Sequence, residues 1–107
     1  MIVTPASQVA GQHVTRTLGL VLGNTIRARH LGKDIIAVLK NMVGGEIEEY
    51  TKMMAEAREQ ATDRMLADAK SLGANAITDM RYSTSYVMGS AAEIVCYGNA
   101  VVVEPES

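Results

Sequence analysis

The clearest hydrophobic pattern in the chain lies between Glu46 and Leu72, and it is helical. Apolar residues recur every three or four positions, which places them on one face of an α-helix. Glu46 in the first turn and Lys70 in the last have the signs that favour the helix dipole. Gly44-Gly45 precedes the pattern, and Gly73 follows it at the left-handed position that ends many helices. The apolar positions are Ile47, Tyr50, Met54, Ala57, Ala61, Met65, Ala69 and Leu72.

Residues 13–29 have the composition of a β-structure. Val14, Leu18, Leu20 and Leu22 share the even-numbered face, as residues on one side of a strand do. The stretch predicts either one long bent strand or a hairpin near Gly23-Asn24. Gly19 and Gly23 indicate bulges or the close approach of another backbone.

The remaining elements complete an α+β fold. Residues 93–104 are dense in β-branched side chains, which predicts a central strand that Pro105 ends. Residues 2–4 and 76–82 are typical of strands, with 83–85 as a turn or a continuation. Residues 30–42, with Ile35, Leu39 and Met42 on one face, predict a short helix. We therefore expect a mainly antiparallel sheet with one short and one long helix packed on it.

The predicted long helix is too long for a subunit of this size. It would measure about 40 Å, whereas a compact chain of this length is roughly 30–35 Å across. The core is also light, because the chain has no Trp, no Phe and only 4 Tyr, and aromatic residues make the largest contributions to burial. Burial between copies would supply what one subunit lacks, so we expect a homo-oligomer.

Composition narrows the class of protein. With 107 residues the chain has the size of a single domain over 1–107. A net charge of −2 offers no basic field for nucleic acid or for an anionic membrane. The sequence has neither a signal-peptide pattern nor an apolar run of about 20 residues that would span a bilayer. Cys96 is the only cysteine, which fits a reducing cytoplasm.

Several motifs together resemble the YbjQ family. Three of them are Asn41-Met42-Val43-Gly44-Gly45-Glu46, Leu72-Gly73-Ala74-Asn75-Ala76-Ile77 and Gly19-Leu20-Val21-Leu22-Gly23. Single positions on the long helix, from Tyr50 to Ala69, and the ending Tyr97-Gly98-Asn99-Ala100-Val101 also match. The resemblance covers residues 9–103. One departure is Asn99, where similar members usually carry Thr.

The resemblance implies an assembly and a ligand class. It implies a small α+β subunit that forms a ring, a pentamer, in which strands complete sheets between neighbours. It also implies heavy-metal binding, because proteins of this family are often labelled in that way. A divalent or soft metal ion is therefore the cofactor that the resemblance suggests. Neither property follows from composition or spacing.

The residues themselves give weak support to a metal site. Soft metals prefer clustered thiolates and imidazoles, and the candidates here are only His13, His30 and Cys96. A free cysteine in a strand usually behaves as a small buried hydrophobe, and the 7 Met serve as core filler. In a ring, however, one residue per subunit near the axis becomes a complete set of ligands. A small number of metal ligands in one chain therefore does not exclude a metal site that is shared between subunits.

Three polar residues near predicted strand ends form the only catalytic candidate, namely Asp79, Tyr82 and Glu93. No positioned nucleophile or base–orienter pair accompanies them, so solvated strand ends are the simpler interpretation. We assign no catalytic residue and no enzymatic activity. Two hypotheses of function stay open: a ring-shaped protein that binds a metal ion or small molecule, and a structural or interaction module without a ligand.

Overall fold

The computed structural model of the protein describes residues 1–26, 45–87 and 91–106. These ranges contain the strands β1 (Ile2–Val3), β2 (Gln12–Ile26), β3 (Ala76–Val87) and β4 (Ala91–Pro105), and the helix α1 (Gly45–Ser71). The prediction of a long helix is confirmed, since α1 has 27 residues. The short helix predicted over 30–42 falls outside the described residues, which contain one helix.

The four strands form one sheet in the order β1-β3-β4-β2. β4 pairs antiparallel with β2 on one side and with β3 on the other, which confirms its predicted central position. The expectation of a mainly antiparallel sheet needs a correction, because β1 runs parallel to β3 and the sheet is mixed. A parallel pair needs a long connection, and here β2 and α1 lie between the two strands in the chain.

β2 is one continuous strand, so the first of the two interpretations of residues 13–29 is correct. Its pairing with β4 extends from Gln12 opposite Pro105 to Ile26 opposite Glu93. The register shifts between Thr17 and Gly19, and Gly19 has a φ of 120°. This confirms the predicted bulge, because such a φ is accessible to glycine at little cost.

The helix packs on one face of the sheet through its alanine-rich side. Ala57, Ala61, Met65 and Ala69 are fully buried, and they form one core with residues of all three long strands. Gly23 lies so close to the helix that a Cβ atom there would collide with the backbone of Ala61 and Met65. The close approach predicted at a β2 glycine is thus confirmed.

The end of α1 has the geometry that its sequence predicts. Gly73 has a φ of 87°, and its amide donates to the carbonyl of Lys70 at 3.0 Å. The amide of Ala74 donates to the carbonyl of Ala69 at 3.1 Å. Together these two bonds make a Schellman motif, which returns the chain to the sheet at β3.

The opposite face of the sheet, which we call the outer face, lacks a helix within the described residues. Leu20 and Leu22 lie on this face of β2 and are 64% and 49% exposed, opposite Asn99 and Tyr97 of β4. The described residues extend over 58 × 25 × 17 Å with a radius of gyration of 17.1 Å, against about 13 Å for a compact chain of this length. The subunit is therefore elongated, as the length of α1 predicts.

Candidate functional site

The structure separates the metal candidates. His13 is exposed at the start of β2, opposite Glu104 of β4, whereas Cys96 is fully buried in the middle of β4. Since Glu104 is eight residues further along the same strand, His13 and Cys96 are roughly 25 Å apart at the usual rise of a strand. His30 lies outside the described residues. Within the described part of the subunit, therefore, His13 and Cys96 do not form a common site.

The thiol of Cys96 belongs to the contact between α1 and the sheet. Its Sγ donates to Sδ of Met65 at 3.5 Å, and Oγ1 of Thr62 lies 3.9 Å from the same Sγ. Burial raises the pKa of this thiol, and hydrogen bonds from Thr62 and Tyr82 act in the opposite direction without reversing the shift. Cys96 is therefore a neutral thiol at neutral pH, as the interpretation of a buried hydrophobe predicts.

A heavy-metal site needs several soft or nitrogen donors around one point, typically four for zinc. Among residues 1–26, 45–87 and 91–106, no three His, Cys, Asp or Glu side chains are placed to hold a metal ion together. In these ranges the thioether of Met65 is the one sulfur within hydrogen-bond distance of the Cys96 thiol, and both side chains are fully buried. The donors that one subunit offers in these ranges do not fit a heavy metal.

His13 instead lines an open cleft at one end of the sheet. The cleft has a volume of about 360 Å³, which falls within the range of small-molecule sites. Val9 contributes an apolar surface that packs against the buried Ala76, Val101 and Val103. The amide, imidazole and carboxylate groups around it can all form hydrogen bonds. The lining residues are Ser7, Gln8, Val9, Gln12, His13, Val14 and Glu106.

The three residues proposed as a catalytic set do not meet. The hydroxyl of Tyr82 shares a hydrogen bond of 2.8 Å with Oγ1 of Thr62 on α1, so Tyr82 faces the helix. Glu93 accepts a hydrogen bond of 3.1 Å from Nδ2 of Asn24 on the outer face. Asp79 bonds to a third group of residues, described next. The arrangement does not provide the paired acid and base that the catalytic hypothesis requires.

Asp79 holds the N-terminal segment against the sheet. Its carboxylate accepts hydrogen bonds from Oγ of Ser7 at 2.8 Å and from Nδ2 of Asn99 at 3.1 Å. Its amide donates to the carbonyl of Ala6 at 3.0 Å. The bond from Ser7 is the main cause of a lowered pKa at Asp79; Thr78, Asn99 and Arg81 add to it and desolvation opposes it. Asn99, the departure from the family pattern, thus serves as a hydrogen-bond donor to this carboxylate.

The backbone at Asp79 has an uncommon conformation. Its φ is 55°, which is left-handed and rare for residues other than glycine, asparagine and aspartate. The residue lies where the register of β3 against β4 shifts between Thr78 and Arg81. No pattern in the sequence indicates this cluster, because Ser7 and Asp79 are 72 positions apart and isolated polar residues have no diagnostic spacing.

The fold and the site define a class: small α+β proteins in which one long helix covers one face of a mixed sheet. A family described as "Putative heavy-metal-binding" (YbjQ) matches residues 1–104, and the chain belongs to this family. A UPF0145 protein of Dehalococcoides mccartyi strain BAV1 is 60% identical over 104 residues, covering 97% of this chain and 100% of the relative. A UPF0145 protein of Pyrococcus abyssi is 52% identical over 106 residues, covering 99% and 93%. The resemblance inferred from the motifs is thereby confirmed.

One similar solved structure supports the fold. It is a protein of unknown function from Pediococcus pentosaceus, with a TM-score of 0.64 and coverage of 97% of this chain and 98% of that one. At 17% identity the likeness concerns the fold alone. In the described ranges, no helix is both long and apolar enough to cross a membrane.

Proposed function

We propose that the protein is the single-domain subunit of a homo-oligomeric ring, a pentamer, that binds a small polar molecule in the cytoplasm. The five-fold symmetry comes from the resemblance to the YbjQ family, and the cytoplasmic location rests on the free thiol of Cys96. The observation that carries the proposal is an apolar edge of the sheet, formed by β2, with which no other strand of the described residues pairs.

The outer edge of β2 favours self-association. β2 is 15 residues long, and in the described ranges no strand pairs with its outer edge. From Thr17 to Ile26 it contains neither proline nor a charged side chain, both of which natural edge strands use to prevent pairing. Leu20 and Leu22 add exposed apolar surface beside this edge. A second copy that pairs there would satisfy the backbone and cover both leucines.

The other edge of the sheet offers a surface to such a copy. Backbone hydrogen bonds from residues 2–6 to β3 extend only as far as Met80, so β3 from Arg81 to Val87 has no strand partner on that side among the described residues. A contact between β2 of one subunit and β3 of the next would be heterologous. Contacts of this kind close into rings when the rotation between subunits allows it.

A polar small molecule is a better ligand for this geometry than a heavy metal. The cleft beside His13 combines an apolar surface at Val9 with donors and acceptors on Gln8, Gln12 and Glu106, whereas Cys96 is sealed in the core. Of the two ligand classes that the sequence leaves open, a metal ion and a small molecule, the proposal therefore takes the small molecule. The alternative function is a structural or interaction module that has the same ring and no ligand.

Multi-angle light scattering and native mass spectrometry test the assembly. We expect the wild-type chain to form a closed oligomer and Leu20→Glu to shift it towards the monomer, because a carboxylate would be buried at the contact. Leu72→Glu is the matched control, since Leu72 is also an exposed leucine, at 46%, but lies at the end of α1. A wild-type monomer at working concentration would refute the proposal.

Binding is tested separately on the intact assembly. A thermal-shift screen of small polar metabolites is expected to find compounds that stabilise the wild type and not His13→Ala. Gln60→Ala, on the exposed side of α1, is the control for a surface substitution outside the cleft. A preserved ring without any ligand response would favour the interaction module.

A further inference from the structure

The environment of Cys96 conflicts with the heavy-metal function that the description of the family suggests. We infer that thiophilic metal ions bind Cys96 in the unfolded chain and not in the folded subunit. This inference is independent of the proposed small-molecule site, because it concerns a different face of the sheet. It rests on three observations: the packing around the thiol, the hydroxyl groups that cover it, and the lack of additional metal ligands near Sγ among the described residues.

The packing leaves no route to the sulfur. Cys96 and Met65 are both fully buried, and their sulfur atoms are 3.5 Å apart. Cys96 lies opposite Gly23 in the sheet, where the helix backbone approaches so closely that a Cβ on the glycine would collide with it. A metal ion could reach Sγ only if α1 separated from the sheet.

Two hydroxyl groups cover the thiol on the side of β3. Oγ1 of Thr62 hydrogen-bonds to the hydroxyl of Tyr82 at 2.8 Å and donates to the carbonyl of Arg58 at 2.8 Å. The same oxygen is 3.9 Å from Sγ. Because Thr62 is fixed by the helix backbone and by a strand residue, a metal cannot enter here without breaking these hydrogen bonds.

A metal ion at Cys96 would also lack ligands and a thiolate. Among the described residues, the one soft donor within hydrogen-bond distance of Sγ is the thioether of Met65, whereas cadmium and zinc favour several thiolates or imidazoles. The metal-binding form of cysteine is the thiolate, and burial raises the pKa of the Cys96 thiol. Unfolding removes the burial and returns the pKa of the thiol towards its ordinary value, since it exposes the sulfur to water.

Linkage then predicts the sign of the metal effect. A ligand that binds the unfolded state lowers the apparent stability, whereas a ligand of the native state raises it. We expect Cd²⁺ to lower the melting temperature of the wild-type protein by several degrees and to leave that of Cys96→Ala unchanged. Mg²⁺, which does not prefer sulfur, is the control ion. A higher melting temperature with Cd²⁺ in the wild type than in Cys96→Ala would overturn the inference, as would an equal change in both.

Thiol reactivity gives a second measurement that needs no variant. We expect a disulfide reagent such as dithionitrobenzoate to modify native Cys96 at least about 100-fold more slowly than the same thiol in urea, because reaction requires opening of the helix–sheet contact. Similar rates in the two states would show that the thiol is accessible in the fold. Cys96→Val, which keeps an apolar side chain of similar size, replaces Cys96→Ala if that variant does not fold.

Discussion

Gly23 of β2 lies directly beneath Ala61 of α1, so that the backbones of strand and helix are in contact. A Cβ atom on Gly23 would collide with the Ala61 carbonyl oxygen and the Met65 amide nitrogen. The small side chain of Ala61, which is fully buried, completes this approach. The contact explains why the buried face of the helix is rich in alanine, since larger residues would push α1 away from the sheet.

We expect Gly23→Ala to lower the free energy of unfolding by about 3 kcal/mol, at the upper end of the cost of overpacking. The cost is high because the colliding atoms belong to the backbone, which cannot change rotamer. Urea denaturation followed by circular dichroism measures the effect. Gly11→Ala is the comparison, because a Cβ there has open space and only a φ of 76° opposes it, a penalty of about 1 kcal/mol. Equal losses in the two variants would argue against the close contact.

Asn75 connects the end of α1 to β4 through its side chain. Its Nδ2 donates to the carbonyl of Val103 at 2.9 Å, and its Oδ1 accepts from the amide of Val103 at 2.8 Å. The side-chain amide thus takes the place of a neighbouring strand backbone. Asn75→Ala leaves both backbone groups of Val103 without this partner, and we expect a loss of about 1–3 kcal/mol in the free energy of unfolding.

Asn24→Ala is the matched control for this prediction. Asn24 also has a side-chain amide, but the amide makes a single hydrogen bond of 3.1 Å, to Glu93. We expect its removal to cost less than about 1 kcal/mol in the same urea titration. A larger loss for Asn24→Ala than for Asn75→Ala would contradict the role given to the two bonds at Val103.

The sequence predicted those parts of the fold that depend on neighbours along the chain. Residue type and spacing predict three of these parts: the apolar face of α1 from Met54 to Ala69, the helix cap at Gly73 and the central strand that ends at Pro105. These features are local, because the residues that determine each of them are close together in the sequence. Glycine at positions 19 and 23 of a strand likewise predicts a bulge or a close contact from residue type alone. Which glycine forms the bulge and which the contact depends on the position of α1, and this is not a local property.

The sequence could not predict contacts between distant segments. β1 joins the edge of β3 in parallel, and only the path of the whole chain determines that direction. Ser7 meets Asp79 across 72 positions, and His13 shares a cleft with Glu106 although neither stands in a recognisable motif. The candidate site is therefore the least predictable part, because residues 7–14 and Glu106 come together only when β2 has paired with β4.

Asp79→Ala tests whether the carboxylate holds the N-terminal segment. The substitution removes the acceptor for Ser7 and Asn99 and places alanine at a φ of 55°, so we expect a lower melting temperature. The substitution should also increase the rate of hydrogen exchange at the backbone amides of positions 79 and 80, which donate to the carbonyl groups of Ala6 and Thr4. NMR measurement of hydrogen exchange gives the rate at each of these two amides.

Asp79→Asn separates the two effects, since asparagine tolerates the left-handed conformation but carries no charge. It should lie between the wild type and Asp79→Ala in melting temperature. Ser7→Ala should have little further effect in the Asp79→Ala background, because the partner is already gone. Additive losses from Ser7→Ala and Asp79→Ala would show that their side chains do not interact.

The acid stability of the protein should depend on the same carboxylate. The hydrogen bonds from Ser7, Thr78 and Asn99 hold the pKa of Asp79 below its ordinary value in the fold. A group with a lowered folded-state pKa stabilises the fold above its unfolded pKa, about 3.9 for aspartate, and that contribution is lost as the pH falls through the folded value. We expect wild-type stability to fall more steeply than that of Asp79→Asn as the pH falls below about 4. Urea denaturation across this window at one protein concentration measures both slopes. The other carboxylates titrate in both proteins and cancel in the difference, so parallel curves would mean that Asp79 is not stabilised as a charge in the fold.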